Sequence, residues 1–188
     1  MPPQRTEDAY PLDTPSDYPV AEIAAAWERE RPGTPVDSIG VVTPLWRLAK
    51  LLADDRRRLL NEVGVDPATL DLLSVLRRAG APYELTTREL ARRSLVTAGA
   101  ISQRVARAES AGLVTRRAVR DGSRAVMVGL TADGHDLVET TVDAVLSRES
   151  ELLSSLSPRQ RAVLGGQLQR LLDDVRHRIR DGRSANNG

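Results

Sequence analysis

The chain has 188 residues, a formal net charge of +1, no cysteine, and a hydrophobic share of 40%. This composition supports a globular core, and the lack of cysteine excludes disulfides, thiol catalysis and cysteine-ligated zinc. The acidic, proline-containing start differs from a secretory signal and the apolar runs are too short to span a membrane, so we expect a cytoplasmic protein with no membrane partner.

Charge along the chain is uneven. Residues 1–37 contain eight acidic residues and three arginines, whereas residues 86–128 contain nine arginines and three acidic residues, a net of +6. A basic block of this kind indicates binding to the phosphates of a nucleic acid. The alternative is a solvated arginine-rich face, since the chain uses arginine throughout and contains one lysine, Lys50.

The N-terminal part predicts an arm followed by two helices. Residues 1–18 contain four prolines and few apolar residues, which is typical of a flexible arm. Helical spacing of apolar residues predicts a first helix from Pro19 to Glu30 and a long second helix from Ser38 to Val63. We expect the helices of residues 19–65 to serve dimerisation, and they are candidates for lining a ligand pocket.

Three helices are predicted in the middle of the chain. An apolar helix begins at the capping residue Asp66 and closes near Gly80. Thr86 opens the capping-box sequence TTRE and with it a short helix, which breaks before Thr97. Thr97 in turn caps a second helix over about 98–111. A short helix followed after a tight turn by a second helix is typical of a helix-turn-helix.

A basic hairpin is predicted after this pair of helices. Two strand-like runs, 113–119 and 124–130, flank Asp121-Gly122, which is a strong signal for a hairpin turn. Helix, turn, helix and basic hairpin in this order predict a winged helix-turn-helix. We therefore assign residues 66–130 to a DNA-binding domain and the fold to the mainly α (α+β) class.

Two helices close the chain, one over about 132–155 and one that begins at Ser157-Pro158. The last helix carries apolar residues that a domain of this size would leave exposed, namely Val163, Leu164, Leu168, Leu171, Leu172 and Val175. We therefore expect dimerisation helices over 131–180 and a flexible tail over 181–188. A homodimer would bind a palindromic site in double-stranded DNA, with half-sites about one helical turn apart.

The second helix of the helix-turn-helix has two different faces. The apolar face, which is expected to dock on the core, consists of Ala98, Ile101, Val105 and Ala108. Small and hydrogen-bonding side chains project from the opposite face, as a helix in a major groove requires, and arginines at the hairpin tip suit a narrow minor groove. The candidate DNA contacts are Thr97, Gly99, Ser102, Gln103, Arg107, Arg120, Ser123 and Arg124.

The chain resembles the MarR family of bacterial regulators. The segments LDLLSVLRRAGAPYELTTRELARRS, TAGAISQRVARAESAGLVTRR and RAVMVGLTADGHDLV carry the resemblance, which covers residues 38–175. It implies a homodimer with winged helix lobes on DNA, which usually represses a nearby gene and is released by a small, often aromatic, organic anion. The wing departs from the family's usual D-R-R tip, because Gly122-Ser123-Arg124 stands there.

The N-terminal helix, with the sequence AAAWERERP, resembles the urate-responsive branch of this family. The resemblance implies a ligand site lined by Trp27, Asp71, Arg104 and Arg116, although ISQR stands where that branch usually has T-N-R. On a helical wheel Arg104 lies at the edge of the buried face, where a guanidinium requires a partner such as Asp71 or a ligand anion. The alternative is a structural ion pair between Asp71 and Arg104, with Trp27 in the core.

Several other functions compete with this one. The two histidines, His135 and His177, lie apart from any catalytic constellation, so we expect no enzymatic activity and no cofactor. A metal-responsive regulator that uses His135 and Glu139 is one alternative. A chain with two histidines and no cysteine has few ligands for zinc, however, so we expect no metal site. A DNA-binding regulator without a ligand and a pure dimerisation module are the others, and steep salt dependence of DNA binding would exclude the last of these.

Overall fold

The computed structural model describes residues 18–118 and 126–185. The predicted arm up to residue 17, the predicted hairpin tip and the last three residues of the predicted tail lie outside the described residues. The chain divides into two compact units, Met1–Thr141 and Val142–Gly188. The boundary between these units falls inside a helix rather than between two elements.

Helices alternate with a small sheet in the following order. The chain forms α1 (Val20–Glu30), α2 (Ile39–Glu62), α3 (Pro67–Arg77), β1 (Glu84–Thr86), α4 (Thr87–Ser94), α5 (Ala98–Ser110), β2 (Val114–Ala118), β3 (Val126–Leu130), α6 (Ala132–Leu152) and α7 (Pro158–Ala185). The fold is therefore mainly α with a small antiparallel sheet, and the predicted winged helix-turn-helix is confirmed in α4, α5, β2 and β3. Among the helices of the described ranges, none is both long and apolar enough to cross a membrane.

The sheet has the order β1-β3-β2, with antiparallel pairing on both sides of β3. Arg116 lies opposite Val128 and Arg117 opposite Met127, so β2 and β3 form the predicted hairpin. The strand β1 was not predicted, because a three-residue segment is too short to show a period of two. Leu85 of β1 is nonetheless buried, and its pairing with Val128 fixes the start of α4 against the hairpin.

The helix α3 is the centre of the first unit. Leu72, Leu73 and Leu76 are fully buried, and α4 and α5 pack on α3 and on each other. Leu90 of α4 and Ile101 of α5 add fully buried side chains to this core. Each such side chain stabilises the fold by roughly 1.5–3 kcal/mol relative to exposure. The core thus holds α5 in one orientation while leaving its outer face in solvent.

A hydrogen-bonded clamp ties the base of the hairpin to α6. The Thr131 hydroxyl donates to the Gly112 carbonyl oxygen at 2.7 Å and accepts the Gly134 amide at 3.0 Å. A Cβ atom added at Gly134 would lie 2.0 Å from the Leu113 carbonyl oxygen. Because any larger residue would force these two backbones apart, glycine is required at position 134.

The second unit consists of the end of α6 and all of α7. Ser157 caps α7, since its hydroxyl oxygen accepts the Gln160 amide at 3.4 Å and its own amide donates to Gln160 Oε1 at 2.9 Å. The predicted apolar set of α7 is exposed along the helix, from Val163 to Val175, and Ile179 continues it.

Several predicted boundaries differ from the observed ones. The strand β2 begins at Val114 rather than at residue 113, and α6 ends at Leu152 rather than near residue 155. The tail that was predicted to be flexible from residue 181 is helical through Ala185, where His177 and Asp181 approach to 3.2 Å one turn apart. Ala98 is exposed rather than docked on the core, because it is the first residue of α5 and the buried face of this helix begins at Ile101.

Candidate nucleic-acid interface

Side-chain caps fix where α4 and α5 begin. The Glu89 amide donates to the Thr86 hydroxyl oxygen at 3.2 Å, and the Glu89 carboxylate accepts the Thr86 amide at 3.0 Å and the Thr86 hydroxyl at 2.7 Å. The hydrogen bond from the Thr86 hydroxyl is the largest cause of the lowered pKa of Glu89, and the bond from the Thr86 amide is the next. A carboxylate therefore stays charged at the start of α4. At α5, the Ala100 amide donates to the Thr97 hydroxyl oxygen at 3.2 Å.

The two predicted faces of α5 are present in the structure. Ile101, Val105 and Ala108 are buried against the core. The opposite face is exposed and contains the predicted contacts Gly99, Ser102, Gln103 and Arg107, with Ala106 between them. A Cβ added at Gly99 would meet nothing within 4 Å, so this part of the face is open. A helix with such a face can approach the edges of bases closely.

Two hydroxyl groups at the start of α5 already take part in hydrogen bonds within the helix. The Ser102 hydroxyl donates to the Ala98 carbonyl oxygen at 3.0 Å, which leaves the Ser102 oxygen as an acceptor for a base amino group. The Thr97 hydroxyl has the reverse assignment, since its oxygen accepts the cap hydrogen bond and its proton is left to donate to a phosphate.

Arg107 is the basic residue at the far end of the exposed face. Its side chain is 67% exposed, and it lies 3.8 Å from the carboxylate of Asp66 at the start of α3. The pKa of Asp66 is lowered mainly by a hydrogen bond from the Thr69 hydroxyl, and Arg107 is the smallest of the causes that lower it. Exposed ion pairs at this distance contribute little free energy. Arg107 can therefore leave Asp66 for a phosphate or a guanine at small cost.

The arginines of β2 are paired with acidic side chains. Arg116 forms a close ion pair with Glu109 of α5, and Arg117 lies 2.5 Å from Glu84 of β1. These contacts raise the pKa of both guanidinium groups. Glu84 lies outside residues 86–128, as do Asp66 and Asp71, so the net charge counted along that segment leaves out the acidic partners of three of its arginines.

Three further arginines line the outer side of α4. Arg88, Arg92 and Arg93 are exposed, with the latter two in the last turn of the helix. The first helix of a helix-turn-helix crosses the DNA backbone, where arginines contact phosphates. The sequence prediction did not include them among the DNA contacts, although they stand within its basic block. Arg120, Ser123 and Arg124 of the predicted wing tip lie outside the described residues.

The structure brings together two of the four residues of the predicted ligand site. Arg104 of α5 donates to the Asp71 carboxylate of α3 at 2.8 Å, with 24% of the Arg104 side chain and 45% of the Asp71 side chain exposed. Arg116 is paired with Glu109 instead. Trp27 lies on α1, which packs against α2, and half of its side chain is exposed.

His135 and Glu139, the alternative metal residues, have other partners. The His135 ring packs edge-on against Tyr83 with 4.5 Å between ring centres, and Arg77 donates to the Glu139 carboxylate at 2.8 Å. Within residues 18–118 and 126–185, no group of three or more histidine or acidic side chains could hold a metal ion.

Known proteins with similar sequences are transcriptional regulators. A family model described as the MarR family matches residues 63–125, which span α3, β1, α4, α5 and β2. The regulator PecS of Dickeya dadantii is 27% identical over 150 residues, which are 78% of this chain and 90% of PecS. An uncharacterised regulator of Bacillus subtilis, YdgJ, is 25% identical over 60% of this chain and 66% of its own length.

Solved structures share the fold. A mutant of Escherichia coli MarR in complex with operator DNA is 28% identical, with a TM-score of 0.58 over 72% of this chain and 99% of that one. AbsC of Streptomyces coelicolor, also described as a MarR family regulator, has a TM-score of 0.65 at 19% identity, over 77% of this chain and 97% of its own.

Proposed function

Since this chain belongs to the MarR family of transcriptional regulators, we propose that it acts as a homodimeric repressor that binds a palindromic operator and is released by a small organic anion. One observation carries the DNA-binding part of this proposal. The helix α5 is docked on the core through Ile101 and Val105 and exposes a continuous face of small and hydrogen-bonding side chains. A face of this kind, on a helix that directly follows a capped helix and a tight turn, fits a helix that lies in the major groove of DNA.

The residues of this interface divide between base reading and positioning. Gln103 presents an amide that matches the donor and acceptor of adenine in the major groove, and Ser102 presents an acceptor for an amino group. Arg107 contacts guanine or phosphate, and Thr97 donates to phosphate. Arg120, Ser123 and Arg124 of the wing would reach the adjacent minor groove, where the potential of a narrow groove is most negative.

The homodimer is inferred from α7. Apolar side chains at helical spacing, Leu164, Leu168, Leu171 and Val175 among them, are exposed along more than three turns of the second unit. A patch of this length on a single chain favours a partner, and a second copy of the same helix is self-complementary. A two-fold dimer presents two copies of α5, which predicts an operator with inverted half-sites about one helical turn apart.

The ligand part of the proposal centres on the ion pair between Asp71 and Arg104. Both side chains are partly exposed, so an anion can reach Arg104 and compete with Asp71 for it. An anion beside Asp71 also repels that carboxylate, and the pair would open. Because Arg104 stands next to Gln103 in α5, a movement of Arg104 toward a ligand would shift the reading face. Trp27 would supply a flat surface for a planar ring, and Arg116 a second positive charge.

A binding experiment tests this proposal. We would measure the affinity of the purified protein for DNA from upstream of its own gene, with and without urate. Salt-sensitive binding that urate releases would support the repressor and the ligand site together. Binding that urate leaves unchanged would support the DNA-binding regulator and exclude urate as its ligand.

A variant tests the ligand residues. We expect Arg104→Ala to abolish release by the ligand without changing the dimer, because the guanidinium that the anion must capture is gone. Arg107→Ala is the matched control, since it removes an arginine from the same helix but from the exposed face, and should weaken DNA binding while keeping the response. A normal ligand response in Arg104→Ala would overturn the assignment.

A further inference from the structure

The turn between α4 and α5 reverses the usual placement of polar and apolar side chains. Leu95 is 89% exposed, more than any other large hydrophobic residue that the structure describes. The Ser94 hydroxyl oxygen beside it is buried, and among the described residues it has no hydrogen-bond partner. A buried hydroxyl without a partner is unfavourable, and the neighbouring Leu95 gains almost none of the free energy that burial of a leucine provides.

The backbone of Leu95 is unfavourable as well. Leu95 follows the last residue of α4 with φ 55° and ψ 36°, in the left-handed region, and its amide donates to the Ala91 carbonyl oxygen. Helices commonly end in this way, but glycine is the usual residue because a Cβ clashes there. Gly64, Gly80 and Gly112 of the same chain have φ values of 70°, 80° and 73° near helix ends, so glycine fills comparable positions elsewhere in this protein.

These features make folding an insufficient explanation for a leucine at position 95. A glycine would fit the backbone better, and the side chain of Leu95 contributes almost no burial in the free protein. Departures from such local rules are concentrated at functional sites, where another interaction compensates for them. Leu95 lies beside the proposed DNA interface. It stands two residues before Thr97, the cap of the helix whose N-terminal end enters the groove in a helix-turn-helix.

We propose that Leu95 is a DNA contact that places an apolar side chain against operator DNA, on a thymine methyl group or on the face of a deoxyribose. This inference rests on the proposed function, because it requires α5 to enter the major groove. Thymine is the one base with an apolar group in that groove, and an exposed leucine that protrudes beside the reading helix matches it. The contact carries no charge, so it adds affinity without adding to the salt dependence that arginine contacts produce.

Variants of the turn separate this role from a structural one. Leu95→Gly and Leu95→Asn both suit the left-handed backbone and remove the apolar side chain, so the melting temperature should stay the same or rise by about 1–4 °C. Their affinity for DNA should fall by about tenfold. Leu95→Met keeps an apolar side chain of similar reach and should bind within about twofold of the unchanged protein.

Ser94→Ala is the matched control. It removes the buried, unpartnered hydroxyl from the same turn and leaves the exposed surface unchanged. The melting temperature should therefore stay the same or rise, and the affinity for DNA should not change. The two neighbouring substitutions thus relieve the same turn but differ in their effect on binding.

The experiment uses the full chain and a duplex that it selects from random DNA. Each variant is titrated with that duplex at several salt concentrations, and again with duplexes in which single thymines are replaced by deoxyuracil, which lacks the methyl group. A loss of affinity with an unchanged salt slope in Leu95→Gly supports the contact. A deoxyuracil that weakens the unchanged protein but not Leu95→Gly assigns the contact to a thymine methyl, and equal effects assign it to the sugar.

Two results would overturn the inference. One is Leu95→Gly binding the selected duplex as tightly as the unchanged protein. The other is a loss of affinity that is accompanied by a fall in melting temperature, since that would make Leu95 a structural residue. A chain that selects no duplex at all would instead remove the proposed function, and this inference would fall with it.

Discussion

Individual arginines of the basic region differ in how strongly they are held. Arg104, Arg116 and Arg117 have close carboxylate partners, whereas Arg107 is 3.8 Å from Asp66 and largely exposed. A guanidinium in a close ion pair loses part of that interaction when it turns toward a phosphate, whereas one that lies 3.8 Å from its partner loses little. We therefore expect Arg107 to be more available for a contact with DNA than the arginines of β2.

Gln103 and Arg124 should differ in what they do to DNA recognition. Gln103→Ala removes the amide that is proposed to read a base edge, so we expect a relaxed choice at one position of each half-site, with about 1–3 kcal/mol less discrimination there. Arg124→Ala removes a charge from the predicted wing, so it should weaken binding to all sequences about equally and lower the salt slope. Competition binding with single-base variants of the operator measures both effects. Identical behaviour of the two variants would contradict the division into base readers and groove contacts.

Gly134 offers a test of stability at a single residue. Gly134→Ala should destabilise the first unit by about 1–3 kcal/mol, because its Cβ would overlap the Leu113 carbonyl oxygen. Gly40→Ala in α2 is the control, since a Cβ there meets nothing within 4 Å. Chemical denaturation of both variants measures the difference. If Gly134→Ala were as stable as Gly40→Ala, the backbone at the base of the hairpin would have to move aside more easily than the structure indicates.

At the level of elements, the stability of α3 and α4 depends on charged caps. Hydrogen bonds lower the pKa of Asp66 and of Glu89 in the folded chain, below their ordinary values of 3.8 and 4.5. A lowered pKa in the folded state means that the caps stabilise the fold fully above the unfolded pKa and lose this effect as the pH falls through the folded pKa. The unfolding free energy should therefore decrease as the pH is lowered from about 5.

Glu89→Gln isolates one part of this pH dependence. The glutamine carbonyl oxygen can still accept the Thr86 amide, so the capping box survives, but the group no longer titrates. Denaturation curves between pH 6 and pH 3, taken at each pH for both proteins, should show a shallower loss for the variant. A pH profile identical to that of the unchanged chain would mean that Glu89 contributes nothing to acid sensitivity.

The open part of the α5 face can be blocked without disturbing the fold. Gly99→Leu adds a side chain where a Cβ meets nothing within 4 Å, so folding should be retained. The same side chain would stand between α5 and the floor of the major groove, so we expect operator affinity to fall about 100-fold. Operator affinity and melting temperature are measured together. Retained affinity would place α5 outside the groove.

Local sequence predicted the elements better than it predicted their contacts. Asp66, Thr86 and Thr97 could be identified as caps because a cap depends on residues within one turn. The partner of Arg117 could not be identified, since Glu84 lies 33 residues away and meets it only after β1 and β2 align on β3. The burial of Ser94 and the exposure of Leu95 could not be predicted from the sequence for the same reason. Both depend on how α4 packs on α3 and α5, not on the spacing of residues in the turn.

At the scale of the whole molecule, the proposed recognition of two half-sites requires two chains that pair through α7. Leu168→Glu should convert the dimer to a monomer that still folds, because Leu168 is already exposed in the single chain. Gln167→Glu adds the same charge at the neighbouring position and should keep the dimer. Analytical ultracentrifugation measures the mass of both. Because the proposed operator has two half-sites, the monomer should also bind far more weakly.

The proposed function requires that this chain recognises a particular duplex through α5. Its most direct test is selection from random DNA by the full-length protein, followed by titration of the selected duplex and an unrelated duplex over a range of salt concentrations. We predict an enriched site with inverted half-sites about one helical turn apart, at least about 10³-fold preference over the unrelated duplex, and a steep loss of affinity with salt. Equal, salt-insensitive affinity for both duplexes, with no enriched site, would contradict the claim.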